Sequence, residues 1–217
     1  MNLGGEGVNS QMYNSYVNQN QGEYNAGLDN VMQELRKSKT IVAGIYGAGG
    51  EEASGNPDLK RLVNKLGGTM FTSTLGCGDY DILQYLEGGY NAGKEIIIYG
   101  HSRGGAAAVR IANTLGAMHI NIAEINLYDP VGFYGGGDFV FEYPNVMKVN
   151  NYYQRNPTDY GPSARYGELP DNPFQGSPVS GNFQWPVINN VNLTGQYYSP
   201  GVLMNHINIT RYAIKHP

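Results

Sequence analysis

The stretch "EIIIYGHSRGGAAAVRIANTLG", Glu95 to Gly116, constrains the fold more than any other. An apolar run of β-formers passes through a serine between glycines straight into an alanine-rich pattern of helical period. A short apolar strand of this kind suits burial on both faces, as in a parallel sheet. A helix with so many alanines is slim enough to lie close against such a sheet. Only glycines flanking the serine allow the chain to reverse so sharply between the two.

The rest of the chain repeats the alternation. A helix is predicted from Glu23 to Lys37 on the spacing of Tyr24, Leu28, Val31, Met32 and Leu35, with basic residues at its C-terminal end. The strand Thr40–Tyr46 follows and stops at "GAGG". A helix comes next over "NPDLKRLVNKLGG", with Asn56 as N-cap, Pro57 in the first turn and Gly67 as the stop. "TMFTSTL" reads as a strand and "DYDILQYLEGGYNAG" as a helix. The elbow helix is expected from Arg103 to Leu115, ended by Gly116, before the strand Ile120–Tyr128. Four strands alternating with helices predict an α/β protein, a three-layer α/β/α sandwich with a mostly parallel central sheet.

Beyond Pro130 the pattern loosens. "VMKVNNYY" and "WPVINNVNLT" read as further strands and "INITRYAIK" as a short last helix. Residues 155–186, dense in Pro, Gly, Asn and Ser, are expected to fold over the sheet edge as a lid or substrate wall. Residues 1–22 read as a loosely held polar arm, and the whole of 1–217 as a single domain, the usual outcome for this length.

Composition narrows the partners. The net charge of −4 and the absence of any Lys/Arg run give no footprint for a phosphate backbone, so nucleic acid is not expected. No apolar run approaches the length needed to span a bilayer, and no secretory leader is readable at the start. Cys77 is the single cysteine, which rules out an intrachain disulfide and leaves a thiolate zinc site short of ligands. "GIYGAGG" fails as a dinucleotide loop, because the spacing from Gly47 and Gly49 asks for Gly or Ala where Glu52 stands. Neither a cofactor nor a metal is called for. The three-residue glycosylation pattern at Asn192 and Asn208 arises easily by chance.

Gly100, Ser102 and Gly104 satisfy GxSxG, and their context favours a nucleophile over a plain tight turn. A serine hydroxyl needs a base, and the base an orienting acceptor. Of the four histidines, His101 should point into the packing beside the elbow, His119 opens a strand at the far edge of the sheet, and His216 has little to hold it. His206, on a loop before the last helix, is the candidate base. Asp129 ends the strand after the one carrying Ser102, so both should share the edge where open α/β sheets bind ligands. The alternatives for the acid are Asp159, then Asp138 and Asp171. The oxyanion donors are expected to be the backbone N–H of Arg103 and that of Ala48 or Gly49. The Arg103 side chain is expected to pair with a nearby acid such as Asp79 or Asp81, with an anionic substrate group as the alternative.

These residues resemble the α/β-hydrolase fold family: "YGAGG" after a strand, the elbow "YGHSRGG", an acid at "YDPVG" and a late histidine in "NHINI", in the order Ser, Asp, His. The likeness covers Thr40 to Tyr128 well and the remainder only through His206. It implies a lipase- or esterase-like serine hydrolase with the triad Ser102, His206 and Asp129, acting on an ester or lipid-like substrate. "GHSRGG" and "DPV" are also similar to segments of lipase-like hydrolases that serve as bacterial effector or toxin domains. Two departures stand out. Many lipases of the family carry His-Gly after the oxyanion strand where this chain has Tyr46-Gly47, and the family's acid more often follows the next strand, which keeps Asp159 open. The rival reading is a binding domain on a hydrolase scaffold, motivated by the Tyr- and Asn-rich surface, since Tyr is favoured at interfaces.

Overall fold

A computed structural model describes residues 21, 26, 30, 32, 34–35, 37–52, 55–73, 78–132, 139–156, 175–181 and 187–216. The chain divides into two compact units, Met1–Lys39 and Thr40–Pro217. In the first, every described residue from 21 to 39 is helical, in line with the spacing of its apolar residues.

The second unit is built on a six-stranded sheet in the order β2-β1-β3-β4-β6-β8, with all its pairings parallel. The strands are β1 (Thr40–Tyr46), β2 (Thr69–Thr72), β3 (Glu95–His101), β4 (Glu124–Tyr128), β6 (Lys148–Tyr153) and β8 (Val187–Asn192). Two small pairs lie outside it: β5 (Phe139–Phe141) with β7 (Val179–Gly181), and β9 (Tyr197–Ser199) with β10 (Val202–Leu203).

Helices cover both faces. On one, α2 (Asp79–Asn91) and α3 (Arg103–Ala117) bury Ile82, Leu86, Ile111 and Leu115 against Ile45, Ile96, Ile98, Ile125 and Leu127. On the other, α1 (Asn56–Lys65) and α4 (Ile209–Lys215) bury Leu59, Val63, Ile209 and Ala213 with Val42, Tyr128 and Tyr152. Successive strand residues point to opposite faces, so β1 alone supplies Ile41, Ala43 and Ile45 to the first core and Val42 to the second. This is the expected three-layer α/β sandwich. No helix among the described residues is long and apolar enough to cross a membrane.

Several boundaries differ from the sequence reading. β4 begins at Glu124, not Ile120: residues 120–123 are held by an isolated bridge from Ile122 to Val146 and by the Ala123 N–H on Ile96 O. Gly116 does not stop α3. It lies inside the helix, where a Cβ would come within 2.5 Å of Tyr143 Cβ, so the glycine makes room for that ring. Asn56 is the first residue of α1, behind an N-cap at Gly55 with φ 88°, and its carboxamide does not cap the helix. Phe139 and Phe141 are buried in the first core, whereas Val140 and Tyr143 are exposed. Residues 133–138, between Val131 and β5, lie outside the described residues.

Candidate active site

β3 and α3 meet at Ser102, whose φ of 56° and ψ of −126° place a non-glycine residue in a region that L side chains rarely adopt. The turn closes this tightly because Gly104 packs on the end of β1, where a Cβ would overlap Ile45 O, and a Cβ at Gly100 would lie 2.5 Å from Gly104 O. The neighbouring strand end is locked to it. The Ser102 N–H donates to Tyr128 O (3.0 Å), and the Val131 N–H donates to Ser102 O (3.2 Å). The segment Tyr128-Asp129-Pro130-Val131 therefore clasps the elbow.

Asp129 also has positive φ, 50°, and its N–H donates to Tyr152 O on β6 at 2.7 Å. Its carboxylate is fully buried and accepts four hydrogen bonds. Oδ1 takes the Gln154 N–H (2.9 Å) and the Gly176 N–H (3.0 Å); Oδ2 takes the Gln154 side-chain amide (2.9 Å) and His206 Nδ1 (2.6 Å). So many donors compensate the desolvation of a buried charge. The structure thus brings Asp129 and His206 together, with the His206 side chain 11% exposed. The alternative acids Asp138, Asp159 and Asp171 lie outside the described residues.

Gln154 and Gly176 are the partners of Asp129 that the sequence reading missed. Gln154 follows the C-terminal end of β6, beside β4, so the strand-end logic that singled out Asp129 applies to it equally. Gly176 carries no such signal within a glycine-rich loop. A Cβ at Gly176 would overlap Asp129 Oδ1, so only glycine lets this backbone approach the carboxylate.

The loop after β1 reaches the elbow from the other side. A Cβ at Gly47 would lie 2.8 Å from Ser102 Cβ. Its N–H is committed to Asn56 Oδ1 at 3.0 Å, which leaves Ala48 and Gly49 as the next donors along the loop. A cavity of about 190 Å³ opens here, walled by Gly47 to Gly50, Thr72, Ser73, Arg103, Ala106, Arg110 and Val131. The guanidinium that pairs with Asp79 is that of Arg110 (Nε to Oδ2, 2.7 Å), which also bonds Ser73, and not that of Arg103 as expected from the sequence.

The other histidines fall as follows. His101 is buried between Asn56 and the backbone of His206, inside the packing as expected. His119 is exposed in the turn after α3, at the N-terminal edge of the sheet and away from Ser102. His216 is better held than its position suggested, stacked on Tyr212 at 4.4 Å with Nδ1 2.9 Å from Tyr212 O. Among the described residues no cluster of His, Cys, Asp and Glu is suited to a metal ion.

No protein-family profile and no curated protein matches the chain. Among solved structures, a YdeN-like protein from Pectobacterium atrosepticum, provisionally named a hydrolase, superposes with a TM-score of 0.38 and 12% identity, over 75% of this chain and 82% of its own. A second protein provisionally named a hydrolase, from Agrobacterium vitis, gives a TM-score of 0.43 and 13% identity, over 83% and 88%. The fold assignment rests on the sheet topology itself.

Proposed function

We propose that the chain is a serine hydrolase that cleaves carboxylic esters through Ser102, His206 and Asp129. The observation that carries this reading is the 2.6 Å contact between a buried, four-fold hydrogen-bonded Asp129 carboxylate and His206 Nδ1, on the strand end that clasps Ser102. With Nδ1 held by Asp129, Nε2 is the ring atom that accepts a proton. The Ser102 hydroxyl attacks the ester carbonyl carbon as its proton passes to Nε2. The tetrahedral oxyanion is received by the backbone N–H groups of Arg103 and Ala48. Collapse expels the alcohol, which takes the proton from His206, and leaves an acyl-serine. Water repeats the steps with His206 as base, releasing the acid and restoring the serine. Asp129 holds the ring in place throughout and stabilises the imidazolium.

The Gly- and aromatic-rich sequence from Phe133 to Tyr143 motivates a lipid-like acyl group. The cavity beside the elbow is lined by the apolar Ala106 and Val131 and by the polar Ser73 and Arg110, so a series of esters of increasing acyl length fixes the preference. The first experiment is intact-mass labelling with a fluorophosphonate. One adduct per parent chain, absent in Ser102→Ala and His206→Ala, is expected. A folded parent that takes no label, or a Ser102→Ala variant that hydrolyses esters within tenfold of the parent, would falsify the mechanism, since losing such a nucleophile costs about 10⁶-fold.

A further inference from the structure

Two buried polar side chains beside the site take no part in the chemistry above. Asn56 is fully buried and His101 is 2% exposed. Asn56 receives the Gly47 N–H on Oδ1 and gives its own amide to Gly50 O, so it ties both ends of the Gly47–Gly50 loop to the start of α1. The same Oδ1 lies 3.0 Å from His101 Nδ1. On the far side of the ring, His101 Nε2 lies 2.9 Å from the backbone carbonyl of His206, and the two imidazoles face each other with centroids 4.9 Å apart. Gly55 completes the seat. A Cβ there would come within 2.7 Å of His101 Cε1.

We propose that Asn56 and His101 are positioning residues of this site, a buried brace that sets the spacing between the loop after β1 and the loop carrying His206. The inference rests on the hydrolase reading, because those two loops carry the oxyanion donor and the base in it. Burial pushes the His101 imidazole down to about 3, with the neighbouring His206 pushing the same way. At neutral pH the ring therefore carries one N–H for two facing oxygens. Asn56 Oδ1 already receives the Gly47 N–H, so the proton is worth more on Nε2, where it holds the His206 carbonyl, and Nδ1 rests against Asn56 Oδ1 as a packing contact without a hydrogen bond. A neutral His101 also leaves the proton taken up during catalysis to His206, since a cation 4.9 Å away would oppose it.

The test compares His101→Gln with His101→Phe. The Gln amide nitrogen can stand where Nε2 does and keep the bond to His206 O, whereas Phe fills the seat without it. Fluorophosphonate labelling should run near the parental rate in His101→Gln and slow by about 10²-fold in His101→Phe, the cost of misplacing a catalytic group by about an ångström. Should the Phe variant not fold, His101→Asn, whose shorter amide reaches Asn56 but not His206, should be slowed likewise. Phe labelling at the parental rate, or Gln labelling as slowly as Phe, would overturn the brace. The second readout needs no turnover: the downfield proton NMR resonance of the His206 Nδ1–H shared with Asp129 should persist in His101→Gln and broaden or vanish in His101→Phe. An unlabelled parent thus sinks the hydrolase reading, while the resonance still decides the brace.

Discussion

A histidine whose two ring nitrogens both face oxygens, and which burial nevertheless keeps neutral, leaves a mark on stability. The His101 imidazole is held at about 3 in the fold, against about 6.5 in an unfolded chain. Between those values the unfolded state binds more protons, so stability rises with pH across that window. The penalty is absent above about pH 6.5 and grows as the pH falls, by about 1.4 kcal/mol per unit, until about pH 3. His101→Gln removes the titration, and urea unfolding at several pH values should show the acid-side slope reduced by about that amount relative to the parent. Equal slopes would mean that His101 is already protonated in the fold. The sequence placed this ring correctly inside the packing beside the elbow. It concealed the partners, because Asn56 lies 45 residues before and His206 105 residues after, and nothing local links them. The same distance hid Gln154 and Gly176, whereas the Asp129–His206 contact on which the proposed triad rests joins two residues that strand ends and loop order had singled out.

The strand–elbow–helix unit was readable because its glycines are demanded by backbone approach over a few residues. At Gly104 the neighbour is the Ile45 carbonyl, a backbone group of strand β1, paired on both sides, that cannot swing aside. Gly104→Ala should therefore push α3 off β1 and destabilise the protein by about 3 kcal/mol, as overpacking does. Thermal unfolding of this variant and of Gly93→Ala measures it. Gly93 has open space around it, so only its φ of 77° resists the substitution there, and the Gly104 variant should lose more. Comparable losses would mean that α3 can shift at little cost. Element ends were harder to read. Gly116 looked like a helix stop because glycine favours C-termini, yet packing against Tyr143 overrode that preference. Asn56 looked like a cap, but the loop after β1 claims its carboxamide.

Over the second unit as a whole, the sheet is the shared wall of two apolar layers. Leu59 on α1 and Leu86 on α2 are both fully buried, on opposite faces, and each is a cavity waiting to be made by truncation. Alternation predicted such layers, since the runs in β1 and β3 are apolar at consecutive positions rather than every second one. It left the order of strands to the handedness and adjacency rules, and the pairing of β6 with β8 depended on long-range contacts that no window contains. Because β1 and β3 feed side chains to both faces, neither layer can melt while the other keeps its wall. Leu59→Ala and Leu86→Ala should each cost roughly 2 to 5 kcal/mol. Both should lower the midpoint of one urea transition without changing its slope, with far-UV and near-UV circular dichroism coinciding. If either variant instead split the curve, with one probe moving ahead of the other, the two layers would be independent cooperative units. The sheet would then hold its strands together without coupling its faces.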